Sequence, residues 1–248
     1  MTGSLNLSKN SWIIFDVDGV LVDIRRSYDL AVSGTVEALL SERGFLYNLD
    51  LELIRGLRNK GRFPQDYELC QTLLVGCLVS RLDETKLRQF ILEFPEGGTF
   101  ADVSDLIKSP PSLEQVKEIF DSFYQGHNVD GLWKQEVSMI DPGLLGHITE
   151  KYRTGIITGR SRTEMSLAEL ILKFRFDSVV TADEYKKPDP DALFSIAGTS
   201  AEGIYAGDTL NDAKLVENYN IKYSGRFRFA HIGEEFKDVS EFIHSLEL

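Results

Sequence analysis

FDVDGVLVD, residues 15–23, closes the apolar run Trp12-Ile13-Ile14-Phe15 and gathers Asp16, Asp18 and Asp23 within eight positions. A short apolar run that ends in aspartate and glycine reads as a buried strand, over about residues 11–17, followed by a turn at Gly19. Carboxylates this close repel one another. A cation, or chemistry that uses the charge, is therefore expected beside them.

Outward from this stretch the chain changes rhythm twice. From Ser27 to Tyr124 the apolar residues fall at helical spacing, in SYDLAVSGTVEALLSERG (with Gly44 as a C-cap), LDLELIRGL, DYELCQTLLVGCLVSRL, DETKLRQFILEF and SLEQVKEIFDSFYQ. Residues 95–111 read as a loop, broken by Gly97-Gly98 and Pro110-Pro111. After Asp141-Pro142, strands and helices alternate. Strands are expected over 153–158, 178–183 and 203–208, with short candidates at 221–223 and 229–232, and VSEFIHSLEL closes the chain as a helix. Alternation of this kind predicts an α/β fold with a doubly wound parallel sheet. The helical block follows the first strand directly. The expected division is a core domain of residues 1–24 plus 140–248, interrupted by a helical cap domain of residues 25–139.

In open α/β sheets, ligands sit beyond the carboxyl ends of the strands. The first strand here ends in Asp16 and Asp18, the next in Thr158-Gly159-Arg160, and another in Gly207-Asp208-Thr209 with Asp212 following. Between them lies Tyr185-Lys186-Lys187-Pro188-Asp189-Pro190. In a parallel sheet these groups converge at one edge. Their carboxylates suit a hard divalent cation, and a lysine with a threonine suits an anionic oxygen group.

DVDGVLVD, ITGR, KKPDP and AGDTLND resemble, in order, the four motifs of the haloacid dehalogenase (HAD) superfamily, and the place of the insert resembles members with a helical cap, subfamily IA. The four fixed residues of D-x-D-G-x-x-x-D, at about 6% each, match by chance in roughly a few chains per thousand of this length. Three further motifs in the right order make the resemblance specific. It implies a Rossmann-like core and a Mg²⁺-dependent phosphatase acting on a small phosphorylated metabolite. Asp16 would be the nucleophile, forming an aspartyl-phosphate. Asp18 would be the general acid and then the base. Lys187 would neutralise charge between nucleophile and phosphate, and Thr158 and the Gly159 amide would bind phosphoryl oxygens. Mg²⁺ would be held by Asp16, Asp208 and the Asp18 carbonyl, with Asp212 acting one layer out. An aspartate two residues after the nucleophile favours phosphate esters, because dehalogenating and phosphonate-cleaving members lack it. Two rivals stay open: a phosphomutase of the same architecture, and a non-catalytic binding or regulatory protein that keeps the fold.

Each residue also has a plainer use. Asp16 and Asp18 suit a turn after a strand. Asp23 reads as a helix cap or hinge residue, and Asp212 as a charge on the first turn of its helix. Lys187 fits a solvated loop, and Lys186 competes with it for the inward position. Arg160 is either a substrate or phosphate contact or a surface charge near a helix start. The polar stretch RNKGRFPQDYE, residues 58–68, reads either as an ordinary helix connection or as a long loop whose Asn59, Lys60 and Arg62 face an anionic substrate. His127, His147, His231 and His244 show no metal spacing.

The net charge of −12 argues against a general nucleic-acid binder. The longest apolar stretch, Leu73 to Val79, is too short for a bilayer, and no secretory leader is visible. Cys70 and Cys77, two helical turns apart at roughly 10 Å, do not suit a disulfide. A cytoplasmic location is the expectation.

Overall fold

The structure, a computed structural model, describes residues 7–61, 63, 65–126 and 130–246. In chain order the strands and α-helices are β1 (Trp12–Phe15), β2 (Val22–Asp23), α1 (Tyr28–Ser41), α2 (Leu51–Lys60), α3 (Asp66–Val79), α4 (Glu84–Glu93) and α5 (Leu113–Tyr124). They continue with β3 (Val137–Ser138), α6 (Pro142–Lys151), β4 (Arg153–Ile157), α7 (Arg162–Leu172), β5 (Val179–Val180), α8 (Pro190–Ala197), β6 (Glu202–Gly207), α9 (Leu210–Tyr223), β7 (Arg226–His231) and α10 (Val239–His244). The chain forms two compact units, residues 1–24 with 136–248, and residues 25–135.

The first unit is built on a five-stranded sheet in the order β5-β4-β1-β6-β7, and every pairing in it is parallel. Its central strand explains the unbroken apolar run. Ile13 and Phe15 pack on one face with Ile156, Ile204, Met165 and Phe242, while Trp12 and Ile14 pack on the other with Ile157, Tyr205 and Leu215. A strand covered on both faces has no side on which a polar residue could alternate. Successive strands run outward from β1 to β4 and β5, then the chain returns to the opposite side of β1 for β6 and β7. The order reverses between β1 and β6, which is where such sheets open a ligand crevice. Strands β2 and β3 form a separate antiparallel pair, with Asp23 opposite Val137. Asp23 is thus a ribbon residue; the first helix is preceded by Ser27 instead.

The second unit is helical. Helix α1 packs with α3 and α5 through Leu39, Leu40, Leu73, Leu74, Val116 and Phe120, all buried. Tyr67 meets Phe120 edge to face with ring centroids 5.3 Å apart, a favoured aromatic geometry. Residues 95–111 are mostly loop, as expected, but include two short 3₁₀ turns, Phe100–Asp102 and Ser104–Leu106.

Two expectations are corrected. Ile221–Tyr223 is not a strand but the last turn of α9, whose stripe of Leu215, Val216 and Tyr219 carries the helix onward to an αL cap at Ser224. The polar stretch 58–68 is not a long loop. Arg58 to Lys60 continue α2, whose buried Leu53, Ile54 and Leu57 fix its inward face and whose basic last turn suits a helix C-terminus. Arg58 is bound to Asp29 and to Asp66, the latter at 2.9 Å. Asn59 is exposed on α2, and Arg62 and His127 lie outside the described residues. Cys70 and Cys77 are both buried and unbridged on α3. Among the described residues no helix is long and apolar enough to cross a membrane.

Candidate active site

The carboxyl ends of β1, β4 and β6 each deliver a chemical group, because parallel register aligns them. Phe15 stands level with Ile156 on one side and Ala206 on the other, so Asp16, Thr158 and Asp208 emerge together. The loop before α8 brings in Lys187, while its neighbour Lys186 is exposed. Lys187 Nζ lies 2.7 Å from Asp212 Oδ1 and 2.8 Å from Asp16 Oδ1. The lysine is the inward one.

Carboxylate oxygens of Asp16, Asp208 and Asp212 come within 4.8 Å of one another. Asp212 is the best held. Its Oδ2 accepts from the Thr209 amide at 3.0 Å and the Thr209 hydroxyl at 2.5 Å, completing a capping box at the start of α9. Its Oδ1 accepts from Lys187 and lies 3.0 Å from the Tyr205 hydroxyl, which also faces the Ile157 carbonyl. The helix-cap reading of Asp212 therefore holds, and the same side chain also fixes the lysine. Asp16 and Asp208 contrast with it. Asp16 Oδ1 meets Lys187 outside hydrogen-bond geometry, and Asp208 Oδ1 is buried with no hydrogen-bond partner among the described residues. A buried, unsatisfied carboxylate oxygen needs a ligand or a proton.

The electrostatics follow. Burial pushes the Asp16 carboxyl well above its ordinary range, and Asp212, Asp18 and Asp208 add to this against the opposing pull of Lys187. Burial and the neighbouring Asp212 push Asp208 up to about 6. For Asp212 burial also acts upward, but Lys187 and the Thr209 hydrogen bonds outweigh it and hold the group below its ordinary value. Burial would pull Lys187 down; Asp16 and Asp212 outweigh that too, and the ammonium stays charged. Three carboxylates thus face one cation. A hard divalent ion fits this donor set, with Asp16 and Asp208 as the side chains that still have unsatisfied oxygens.

Gly19 is required by space as well as by backbone. Its φ is +75°, and a Cβ there would collide with Asp208 Oδ2. Gly19→Ala is expected to cost at least about 1–2 kcal/mol from the left-handed backbone alone, read as a lowered midpoint in urea. An unchanged midpoint would mean that Asp208 can move aside freely.

Around this centre, Thr158 is buried and its Oγ1 accepts from the Arg160 amide at 3.1 Å, which leaves the hydroxyl proton free to donate elsewhere. Gly159 is exposed, with open space beside its Cα. The surface-charge reading of Arg160 fails, since its side chain is fully buried. Its Nε lies 2.7 Å and its Nη2 2.6 Å from Asp18 Oδ1, and Nη2 also donates to the buried Glu136 at 2.8 Å. His231 Nε2 sits 3.1 Å from the Asp208 carbonyl oxygen. Sequence reading passed over Glu136 and Tyr205, named Thr209 only as the neighbour of Asp208, and found no metal spacing for His231. Only Thr209 carried a signal, the T-x-x-D spacing of a capping box. Asn59 belongs to the helical unit.

Solved structures resemble this chain. Phosphatase Tt82 from Thermococcus thioreducens superposes with a TM-score of 0.84 at 39% sequence identity, covering 95% of this chain and 99% of that one. A hydrolase from Pseudomonas syringae gives a TM-score of 0.55 at 18% identity, covering 96% and 98%. A protein from Bacteroides fragilis described as a haloacid dehalogenase-like hydrolase gives 0.52 at 14%, covering 91% and 99%. The last two show likeness of fold alone. No protein-family model and no curated protein matches the sequence.

Proposed function

The chain belongs to the haloacid dehalogenase superfamily, and from that premise we propose that it is a Mg²⁺-dependent phosphatase that hydrolyses a small phosphorylated metabolite through Asp16. The observation that carries this reading is the gathering of Asp16, Asp208 and Asp212 within 4.8 Å around the single ammonium of Lys187. The phosphatase from Thermococcus thioreducens, similar over almost its whole length, supports it.

In this mechanism an Asp16 oxygen attacks phosphorus and the bond from phosphorus to the alcohol oxygen breaks. Asp18 gives its proton to that oxygen, so the alcohol leaves neutral and Asp18 is left as a carboxylate. Water then attacks phosphorus, Asp18 takes the proton back, and the bond to Asp16 breaks. The balance is phosphate ester plus water to alcohol plus phosphate. Thr158 and the Gly159 amide donate to phosphoryl oxygens, and Lys187 supports Asp16 and spreads its charge onto the phosphoryl group. Asp16, Asp208 and the Asp18 carbonyl would hold Mg²⁺, with Asp212 orienting the set; the bound ion would neutralise phosphoryl charge. The helical unit is the proposed cap, and supplies selectivity. Two buried, unbridged cysteines support a cytoplasmic location.

Phosphate release from a panel of phosphorylated metabolites, with Mg²⁺ and with EDTA, tests the proposal. Metal-dependent release on a few related compounds is expected; none above the EDTA background sinks it. A second check uses pH. A carboxyl raised in the folded chain binds its proton more tightly there, so its penalty is absent below the ordinary value of 3.8 and complete above about 6 for Asp208. The EDTA-treated protein is therefore expected to lose stability as pH rises through this window. Mg²⁺ should then raise the melting temperature more at about pH 7 than at about pH 5. Equal shifts at both would remove Asp208 from the metal site.

A further inference from the structure

The Asp18 carboxylate is bound by the buried arginine Arg160. We infer that Arg160 and Glu136 are positioning residues for Asp18, holding the general acid in the orientation from which it protonates the leaving oxygen. The inference rests on the phosphatase reading and on Asp18 as its acid.

Both guanidinium contacts, from Nε at 2.7 Å and Nη2 at 2.6 Å, fall on the same oxygen, Asp18 Oδ1. The acidic proton therefore belongs to Oδ2. A flexible acid at a turn would sample several rotamers, and a misplaced proton donor loses most of its effect. The planar fork of an arginine removes that freedom, which a lysine's single ammonium could not do. Arg160 is itself fixed: Nη2 donates to Glu136 Oε2 at 2.8 Å, and the Glu136 side chain is fully buried. Glu136 also balances the arginine's charge, so the fork is held without an unpaired buried cation. Finally, the Arg160 amide donates to Thr158 Oγ1, so one residue orients both the acid and a phosphate-binding hydroxyl. Glu136 immediately precedes β3, at the point where the chain re-enters the α/β unit, so the acid's orientation is anchored to that return strand.

The test compares two substrates that differ in their need for an acid. Glycerol 2-phosphate releases an alkoxide that must be protonated as its bond to phosphorus breaks; 4-nitrophenyl phosphate releases a phenolate that needs no proton. The quantity read is kcat/KM, which covers only the steps up to loss of the leaving group. Arg160→Lys is expected to lower it about 100-fold for glycerol 2-phosphate and less than about threefold for 4-nitrophenyl phosphate. Glu136→Gln should show the same asymmetry at smaller size, and serves alone if Arg160→Lys does not fold. In an Asp18→Asn background, Arg160→Lys should add little further loss. Equal losses on both substrates, no loss on either, or full additivity with Asp18→Asn would overturn the assignment while leaving the phosphatase intact. A parent protein that cleaves neither substrate, nor any in the metabolite panel, would instead remove the phosphatase reading and this inference with it.

Discussion

Asp16→Asn is expected to lower phosphate release by about 10⁴-fold or more, the scale found when a covalent nucleophile is removed. Asparagine keeps the size of the side chain and takes away the attacking oxygen. The same substitution has an unusual expected effect on stability. Asp16 is buried among like charges, and its carboxyl is pushed well above the ordinary range by burial and by Asp212, Asp18 and Asp208. Its ionised form is therefore a cost to the metal-free fold at neutral pH. Asp16→Asn removes that cost, and Lys187 keeps Asp212 as its partner at 2.7 Å. The variant should melt at or above the parent's temperature in EDTA while being inactive with Mg²⁺. A large fall in melting temperature would show that Asp16 is part of the scaffold, and retained turnover would refute it as nucleophile.

Lys187→Met should move stability the other way. The ammonium is nearly buried and faces Asp16 and Asp212, so its loss leaves two carboxylates with no counter-charge. Breaking a buried pair of this kind costs about 3–5 kcal/mol. Turnover should fall by about 10²–10³-fold, as for other losses of an electrostatic donor. Mg²⁺ is expected to recover part of the stability and none of the rate. Denaturant midpoints with and without the ion, measured beside initial rates, separate these outcomes. A stability change of the same sign in Asp16→Asn and Lys187→Met would contradict the charge balance of three carboxylates against one cation.

What could be read from the sequence was local. Asp16 and Asp18 were legible because an apolar run and a glycine turn announce a strand end, and Asp208 and Asp212 because the same pattern recurs before a helix. The parallel register that brings them level then follows from the alternation of strand and helix. The partners of Arg160 were not legible. Its buried partner Glu136 sits in a segment with no strong pattern of its own, beside the strand β3 that pairs with β2. Tyr205 was hidden for another reason. Inside a strand covered on both faces, a tyrosine that faces a carboxylate looks like any other core aromatic. The stretch at residues 58–68 misled because polar residues near a helix end resemble a loop. What keeps Arg58 to Lys60 helical is the apolar stripe one turn earlier.

The place of β1 in the sheet also sets an order of events during synthesis. Trp12 pairs with Arg153 on one side and Gly203 on the other, so the central strand leaves the ribosome long before either neighbour exists. Meanwhile the whole helical unit, contiguous from residue 25 to 135, is finished. The nascent chain thus carries an exposed Trp-Ile-Ile-Phe segment, a ready template for wrong pairing, until the second half of the molecule is made. Slower folding and a longer exposure to wrong pairing are the expected consequences of an insertion placed directly behind the first strand.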